Sequence, residues 1–319
     1  MPLRLAALWI LSGSLCFAFQ AGPIAPRARR ASISRPERLP AADLRVDVPL
    51  VLIPVHVTTP LGASVTDLRP QNFHLFEDGV EQRITQFARE DAPISIGLLF
   101  DDSGSMKNKI RKSSEAAAAF FKTANAGDEF FLIEFNEKPR LEVAFTPDSS
   151  QIYRRIARAK PAGRTSLLDA IHMGLEQMKQ ARNVRKAIVI LSDGGDNRSR
   201  YTEDEIMAEV READVQVYAM GIFDPAGKPK KTPEEQNGPS LLTELAEETG
   251  GRHYPASDVA DLPSVCAKIG VELRNQYVLG YSPTHPADGT FRYVKVTAAA
   301  PGMPPLRAHH RKGYYASAE

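Results

Sequence analysis

From residue 93 to residue 275, short apolar runs alternate with helix-like segments, and this alternation constrains the fold more than any other feature of the chain. Ile94 to Phe100, Glu129 to Phe135, Ala187 to Leu191 and Val215 to Ile222 carry the continuous β-branched and aromatic content of strands, with Leu141 to Phe145 and Arg252 to Tyr254 as shorter pieces. Between them, Lys107 to Ala126, Ser150 to Ala159, Ser166 to Ala181, Thr202 to Ala213, Pro239 to Thr249 and Val259 to Asn275 have helical spacing, and Gly250-Gly251 is a stop signal. Strands that read as apolar along their whole length, separated by helices, predict an α/β fold: a Rossmann-like, doubly wound, mainly parallel sheet covered on both faces.

The flanks read differently. In residues 44–92, Val46, Val48, Leu50, Leu52, Pro54, His56 and Thr58 alternate with Val51, Ile53, Val55 and Val57, a pattern that suits a strand buried on both faces. Phe73 to Phe76 leads into the turn signal Glu77-Asp78-Gly79, and Gln82 to Phe87 is expected to return as a strand. Residues 271–319 are β-like again, with Gln276 to Tyr281 and Phe291 to Thr297 separated by Asp288-Gly289. Neither flank has enough strands to stand alone, so the two are expected to pack together as one small β subdomain beside the 93–270 domain.

The first residues look like an export signal over residues 1–21. Arg4 precedes the apolar run Leu5 to Phe19, which is interrupted by Ser12-Gly13-Ser14 and is short of the about 20 apolar residues of a membrane span. The expected location is therefore periplasmic or extracellular, with an uncleaved anchor as the alternative. Residues 22–43, rich in Pro, Ala and Arg, read as a solvated linker. If the signal is removed, Cys266 is left without a disulfide partner, and its place on an amphipathic segment predicts a buried, inert thiol. With 40 basic and 39 acidic residues the net charge is +1, which gives no global reason to expect nucleic acid.

The chemistry concentrates at Asp101-Asp102-Ser103-Gly104-Ser105, directly after the first core strand. Asp101, Ser103 and Ser105 offer one carboxylate and two hydroxyls at alternate positions, hard oxygen donors of the kind Mg²⁺ or Mn²⁺ prefers. Thr165, in Gly163-Arg164-Thr165-Ser166, and Asp193, in Ser192-Asp193-Gly194, add a hydroxyl and a second carboxylate. In an open parallel sheet, ligands bind beyond the carboxyl ends of the strands where strand order reverses. If the strands ending at Asp101 and Asp193 are neighbours at that point, all five residues share one crevice. Gly104 and Gly194 are expected to leave room there for an incoming anionic group. Asp196 and Asn197 read either as orienting groups or as turn caps. The segment from Asp224 to Pro239, with Lys228, Lys230 and Lys231, is expected as a loop on the same face.

The motif Asp101-x-Ser103-x-Ser105 with Thr165 and Asp193 resembles the metal-ion-dependent adhesion site of von Willebrand factor type A domains, over roughly residues 93–270. The flanking Phe76-Glu77-Asp78-Gly79 and Tyr277-Val278-Leu279-Gly280-Tyr281 are similar to a group of secreted bacterial proteins with this domain, first noted in Acidobacteria. The resemblance implies a divalent cation, Mg²⁺ ahead of Mn²⁺ or Ca²⁺, held by Asp101, Ser103, Ser105, Thr165 and Asp193. It also implies adhesion to a protein partner that offers an Asp or Glu carboxylate, with no catalysis. Two other classes compete: an envelope assembly component in which any metal is only structural, and a hydrolase using Ser103 or Ser105, which would need a base such as His172 or His253. Gly221 to Lys228 is not a phosphate loop, since its spacing is one residue too long and Pro229 stands where Ser or Thr is needed. His309-His310 reads as strand alternation.

Overall fold

The computed structural model describes residues 50–222, 233–256 and 258–316. The signal-like segment, the linker and residues 223–232 lie outside them.

Its centre is a six-stranded sheet. In chain order its strands are β5 (Ile94–Asp101), β6 (Glu129–Phe135), β7 (Pro139–Thr146), β8 (Arg185–Ser192), β9 (Gln216–Ile222) and β10 (His253–Ala256). In space they run β10-β9-β8-β5-β6-β7, all parallel except β7, which is antiparallel to β6. Among the described residues six helices cover the sheet: α1 (Ile110–Phe121), α2 (Ser149–Ile156), α3 (Leu167–Met178), α4 (Glu203–Glu212), α5 (Pro233–Glu248) and α6 (Leu262–Arg274). Strand alternation divides the core in two. Ile96, Leu98, Phe100, Val189, Leu191 and Met220 pack with Ala117 and Phe120 of α1 and Ile269 of α6. Leu99, Phe131, Ile133, Ile188, Ile190 and Val217 pack on the other face with Ile171 of α3, Val210 of α4 and Leu245 of α5. Covering both faces explains why these strands have no polar face in the sequence. Cys266 of α6 is fully buried in the first of these cores, and burial raises its thiol pKa.

Both flanks form the β subdomain, with eight further strands among the described residues. From the N-terminal flank come β1 (Val51–Thr58), β2 (Phe73–Glu77), β3 (Val80–Gln82) and β4 (Gln86–Glu90); from the C-terminal flank come β11 (Gln276–Tyr281), β12 (Phe291–Ala298), β13 (Arg307–His309) and β14 (Gly313–Tyr315). They make two four-stranded antiparallel sheets, β13-β1-β11-β4 and β14-β12-β2-β3, each mixing the two flanks. Ile53, Val55, Tyr277 and Leu279 from one sheet meet Phe73, Leu75, Val294 and Val296 from the other in a third core. Within it, Tyr277 donates its hydroxyl to the Val65 carbonyl at 3.0 Å and accepts from the Leu68 amide at 3.0 Å.

Three expectations are corrected here. β1 does not bury both faces: Leu50 and Leu52 are 42% and 40% exposed, and the buried part of that face is polar, with His56 and Thr58 turned toward Ser64 and His309. Gln82 to Phe87 is not one strand. Asp78 and Gly79 both take positive φ, as a tight hairpin turn requires, so β3 pairs with β2; the chain then crosses to the other sheet, where β4 pairs with β11. α5 does not begin at Pro239 but at Pro233, and Pro239 lies inside the helix.

Candidate functional site

The sheet order fixes where a crevice opens. β5 leads to β6 and β7 on one side, and the chain then returns across β5 to β8 on the other. β5 and β8 are thus parallel neighbours at the point where strand order reverses, the position at which such sheets bind ligands. Their register pairs Leu99 with Ile190 and Phe100 with Leu191, so both strands end at the same level. Asp101 therefore stands beside Ser192, and Asp193 lies one residue beyond the strand.

Asp101 is completely buried. Its Oδ2 accepts the Ser192 hydroxyl at 2.6 Å and its Oδ1 accepts the Ser103 amide at 2.9 Å. Burial, followed by the Asp193 charge, outweighs these bonds and pushes the Asp101 pKa up to about 7. Ser103 is buried and Ser105 exposed, with their hydroxyl oxygens 3.0 Å apart. The next residues form a 3₁₀ turn, Gly104–Met106, which separates the motif from α1.

The Thr165 loop is tied to the same end of the sheet by backbone. The Gly104 amide donates to the Gly163 carbonyl at 3.1 Å, and the Ala162 amide to the Asp102 carbonyl at 2.9 Å. From the other side, Asn197 Oδ1 accepts the Thr165 amide at 3.0 Å while the Asn197 amide donates to the Thr165 carbonyl at 3.1 Å. Asp196 Oδ2 accepts the Leu168 amide at 2.9 Å in the first turn of α3. Asp196 and Asn197 are thus caps that hold the Thr165 loop, the second of the two sequence readings. Thr165 is 5% exposed, and its hydroxyl makes no hydrogen bond among the described residues.

The five residues singled out in the sequence therefore lie at one end of the sheet: Asp101 as the last residue of β5, the others on the loops after β5 and β8 and before α3. Among the described residues no three His, Cys, Asp or Glu side chains gather as a metal site, so a cation in this crevice would depend on hydroxyl oxygens. The donor set fits a hard divalent ion: a fully buried carboxylate near a second one, a buried serine, and a threonine hydroxyl that makes no hydrogen bond among the described residues.

Three neighbours had no signal as single residues. Ser192 holds Asp101, as above. Asp102 points away from Asp101 and accepts Arg140 Nη2 at 3.0 Å and Asn136 Nδ2 at 3.3 Å. Lys109, just before α1, donates to Asp193 Oδ2 at 3.3 Å and to the Ile222 carbonyl at 3.0 Å. In the sequence Lys109 is only part of the helix-like segment Lys107 to Ala126, and the juxtaposition of β8 and β9 reveals this contact.

The two glycines do not act as expected. A Cβ on Gly194 would lie 2.8 Å from the Gly238 backbone, so that glycine admits α5 rather than a partner. A Cβ on Gly104 would lie 3.2 Å from the Gly163 carbonyl. Nor do the histidines serve the serines. His172 Nδ1 faces Glu209 at 2.9 Å and its Nε2 faces the Tyr201 hydroxyl at 3.0 Å, while His253 Nδ1 faces Thr243 Oγ1 at 2.8 Å. Of the expected loop at 224–239, residues 233–239 are helical and residues 224–232 lie outside the described residues.

A doubly wound α/β domain with an oxygen-lined crevice at its switch point defines the class. Residues 96–195 match the family model of the von Willebrand factor type A domain, and the chain carries such a domain. An uncharacterized protein of Borreliella burgdorferi is 24% identical over 168 residues, 48% of this chain and 49% of that protein. The chain thus spans about half the length of that curated relative. Among solved structures, a von Willebrand factor type A protein from Catenulispora acidiphila is similar at TM-score 0.49 and 12% identity, covering 75% of this chain and 73% of that one. An aerotolerance-related membrane protein from Bacteroides fragilis is similar at TM-score 0.47 and 17% identity, covering 56% of this chain and 98% of that one. Among the described residues no helix is long and apolar enough to cross a membrane.

Proposed function

We propose that this chain is an exported, non-enzymatic protein-binding module of the metal-dependent adhesion type. Asp101, Ser103, Ser105, Thr165 and Asp193 would hold a divalent cation, Mg²⁺ ahead of Mn²⁺ or Ca²⁺. When bound, the cation supplies a positive coordination point for an Asp or Glu carboxylate of a partner protein. The observation that carries this reading is the fully buried Asp101 carboxylate, held by Ser192 and the Ser103 amide at the carboxyl end of β5, with the Ser103 hydroxyl beside it and a Thr165 hydroxyl that makes no hydrogen bond among the described residues. A buried carboxylate that feels the charge of a second one is relieved by a bound cation. Three neutral hydroxyls leave that cation short of negative charge, which favours an anionic ligand from outside. Export rests on the apolar N-terminal run and on the resemblance of both flanks to secreted bacterial proteins.

Calorimetric titration of Mn²⁺ into wild type and Asp101→Ala tests the assignment. Binding is expected in the wild type and lost in the variant, whose circular dichroism should stay that of a folded protein. Equal binding by both would refute the site. A pull-down from envelope extract should recover a partner that chelator releases; a chelator that lowers the melting temperature yet releases nothing would favour the assembly-component reading.

A further inference from the structure

The Lys109 ammonium sits against one of the two carboxylates proposed to bind the cation. It is 13% exposed and Asp193 12%, so the pair is largely shielded from water. Its bonds to Asp193 Oδ2 and to the Ile222 carbonyl stretch it across the carboxyl ends of β8 and β9. It is therefore held by two elements and cannot swing away without losing a bond on each.

We infer that Lys109 is a specificity-determining residue: a tethered internal cation that weakens divalent-ion binding on its own and couples it to the arrival of an anionic partner group. The inference rests on the proposed cation site. Ionised, as metal-ligating carboxylates are, Asp101 and Asp193 contribute two negative charges, the three hydroxyls none, and Lys109 cancels one. With the ammonium in place, a divalent ion leaves the crevice with a net positive charge in a poorly solvated setting, where Coulomb repulsion is weakly screened. A carboxylate from outside brings the crevice back to neutrality. Cation and carboxylate then each raise the affinity for the other, and by linkage the enhancement is the same in both directions. A neutral residue at 109 would let the cation bind well by itself and would shrink that mutual enhancement.

Full-length wild type, Lys109→Met and Lys109→Arg are titrated calorimetrically with Mn²⁺, first in chloride and then in excess sodium acetate at matched ionic strength. Lys109→Met is expected to bind Mn²⁺ at least tenfold more tightly than wild type in chloride, because it removes a like charge beside a divalent ion in a weakly screened place. Lys109→Arg, which keeps the charge, should stay near wild type. Acetate should strengthen Mn²⁺ binding more in wild type than in Lys109→Met. Lys109→Gln serves as the neutral variant should Lys109→Met not fold. Equal or weaker Mn²⁺ binding by the neutral variant, with wild type binding, overturns the inference and leaves the cation site standing. No binding by either protein overturns the cation site and this inference together.

Discussion

At the residue scale, the motif gains its properties from what surrounds it. Asp101 is a surface-type residue placed under full burial, and it stays there because Ser192 and the Ser103 amide satisfy both of its oxygens. Gly194 shows the same dependence in backbone form. It has φ of +79°, and the space a Cβ would need is taken by Gly238. Gly194→Ala should therefore destabilise the protein by about 2–4 kcal/mol, the sum of a left-handed conformation forced on an L residue and an overpacked contact. Denaturant unfolding of the two proteins measures this, and a loss below about 1 kcal/mol would show that α5 can retreat without cost. The sequence makes Asp101, Ser103, Ser105, Thr165 and Asp193 legible because their types and spacing match a known motif. Lys109 is illegible for a physical reason: its partners, Asp193 and Ile222, are 84 and 113 residues away in the chain.

At the scale of elements, hydrophobic period predicts the core strands well because helices cover both faces of them. Boundaries fare worse wherever a local rule meets a tertiary one. Pro239 suggests a helix start, yet α5 already runs from Pro233, and the Pro239 carbonyl accepts the Thr243 hydroxyl at 2.7 Å within the helix. Gln82 to Phe87 looks continuous because nothing local says that the chain changes sheets after β3. β11 shows how far an element's role is set by its neighbours. It lies between β1 and β4, and Leu279 is fully buried between the two sheets. Leu279→Ala should cost about 2–5 kcal/mol, the range for removing a leucine from a packed core. The loss should appear as a lower midpoint in denaturant at unchanged slope. A cost near zero would mean that the third core is loosely packed.

At the scale of the whole molecule, the β subdomain meets the α/β domain through a buried polar seam. His56 Nδ1 of β1 lies 3.4 Å from Glu272 Oε2 of α6, while Arg252 and Tyr254 both donate to the other oxygen of Glu272. Burial, then His309 and Arg252, push His56 down from its usual 6.5 to about 3, so it is neutral near pH 7 and the contact with Glu272 is not an ion pair. An unfolded chain takes up a proton at His56 below pH 6.5 and the folded one does not until about pH 3. The stability this residue confers is thus complete above pH 6.5 and is lost progressively as pH falls toward 3, at about 1.4 kcal/mol per unit. Between about pH 7 and about pH 5, wild type should lose ~2 kcal/mol relative to His56→Gln, which cannot titrate. Parallel pH profiles for the two proteins would show that His56 is protonated in the folded state.

The sequence by itself determined the class of the fold and the donor types of the crevice. Both are carried by local information: the period of the apolar residues, and side chains placed at the ends of strands. Only the tertiary structure decided that β5 and β8 are neighbours, that the flanks exchange strands into two sheets, and that Lys109 rests on Asp193. Those are pairings between segments far apart in the chain. Shape and charge select them when the core closes, and no spacing within one segment encodes them.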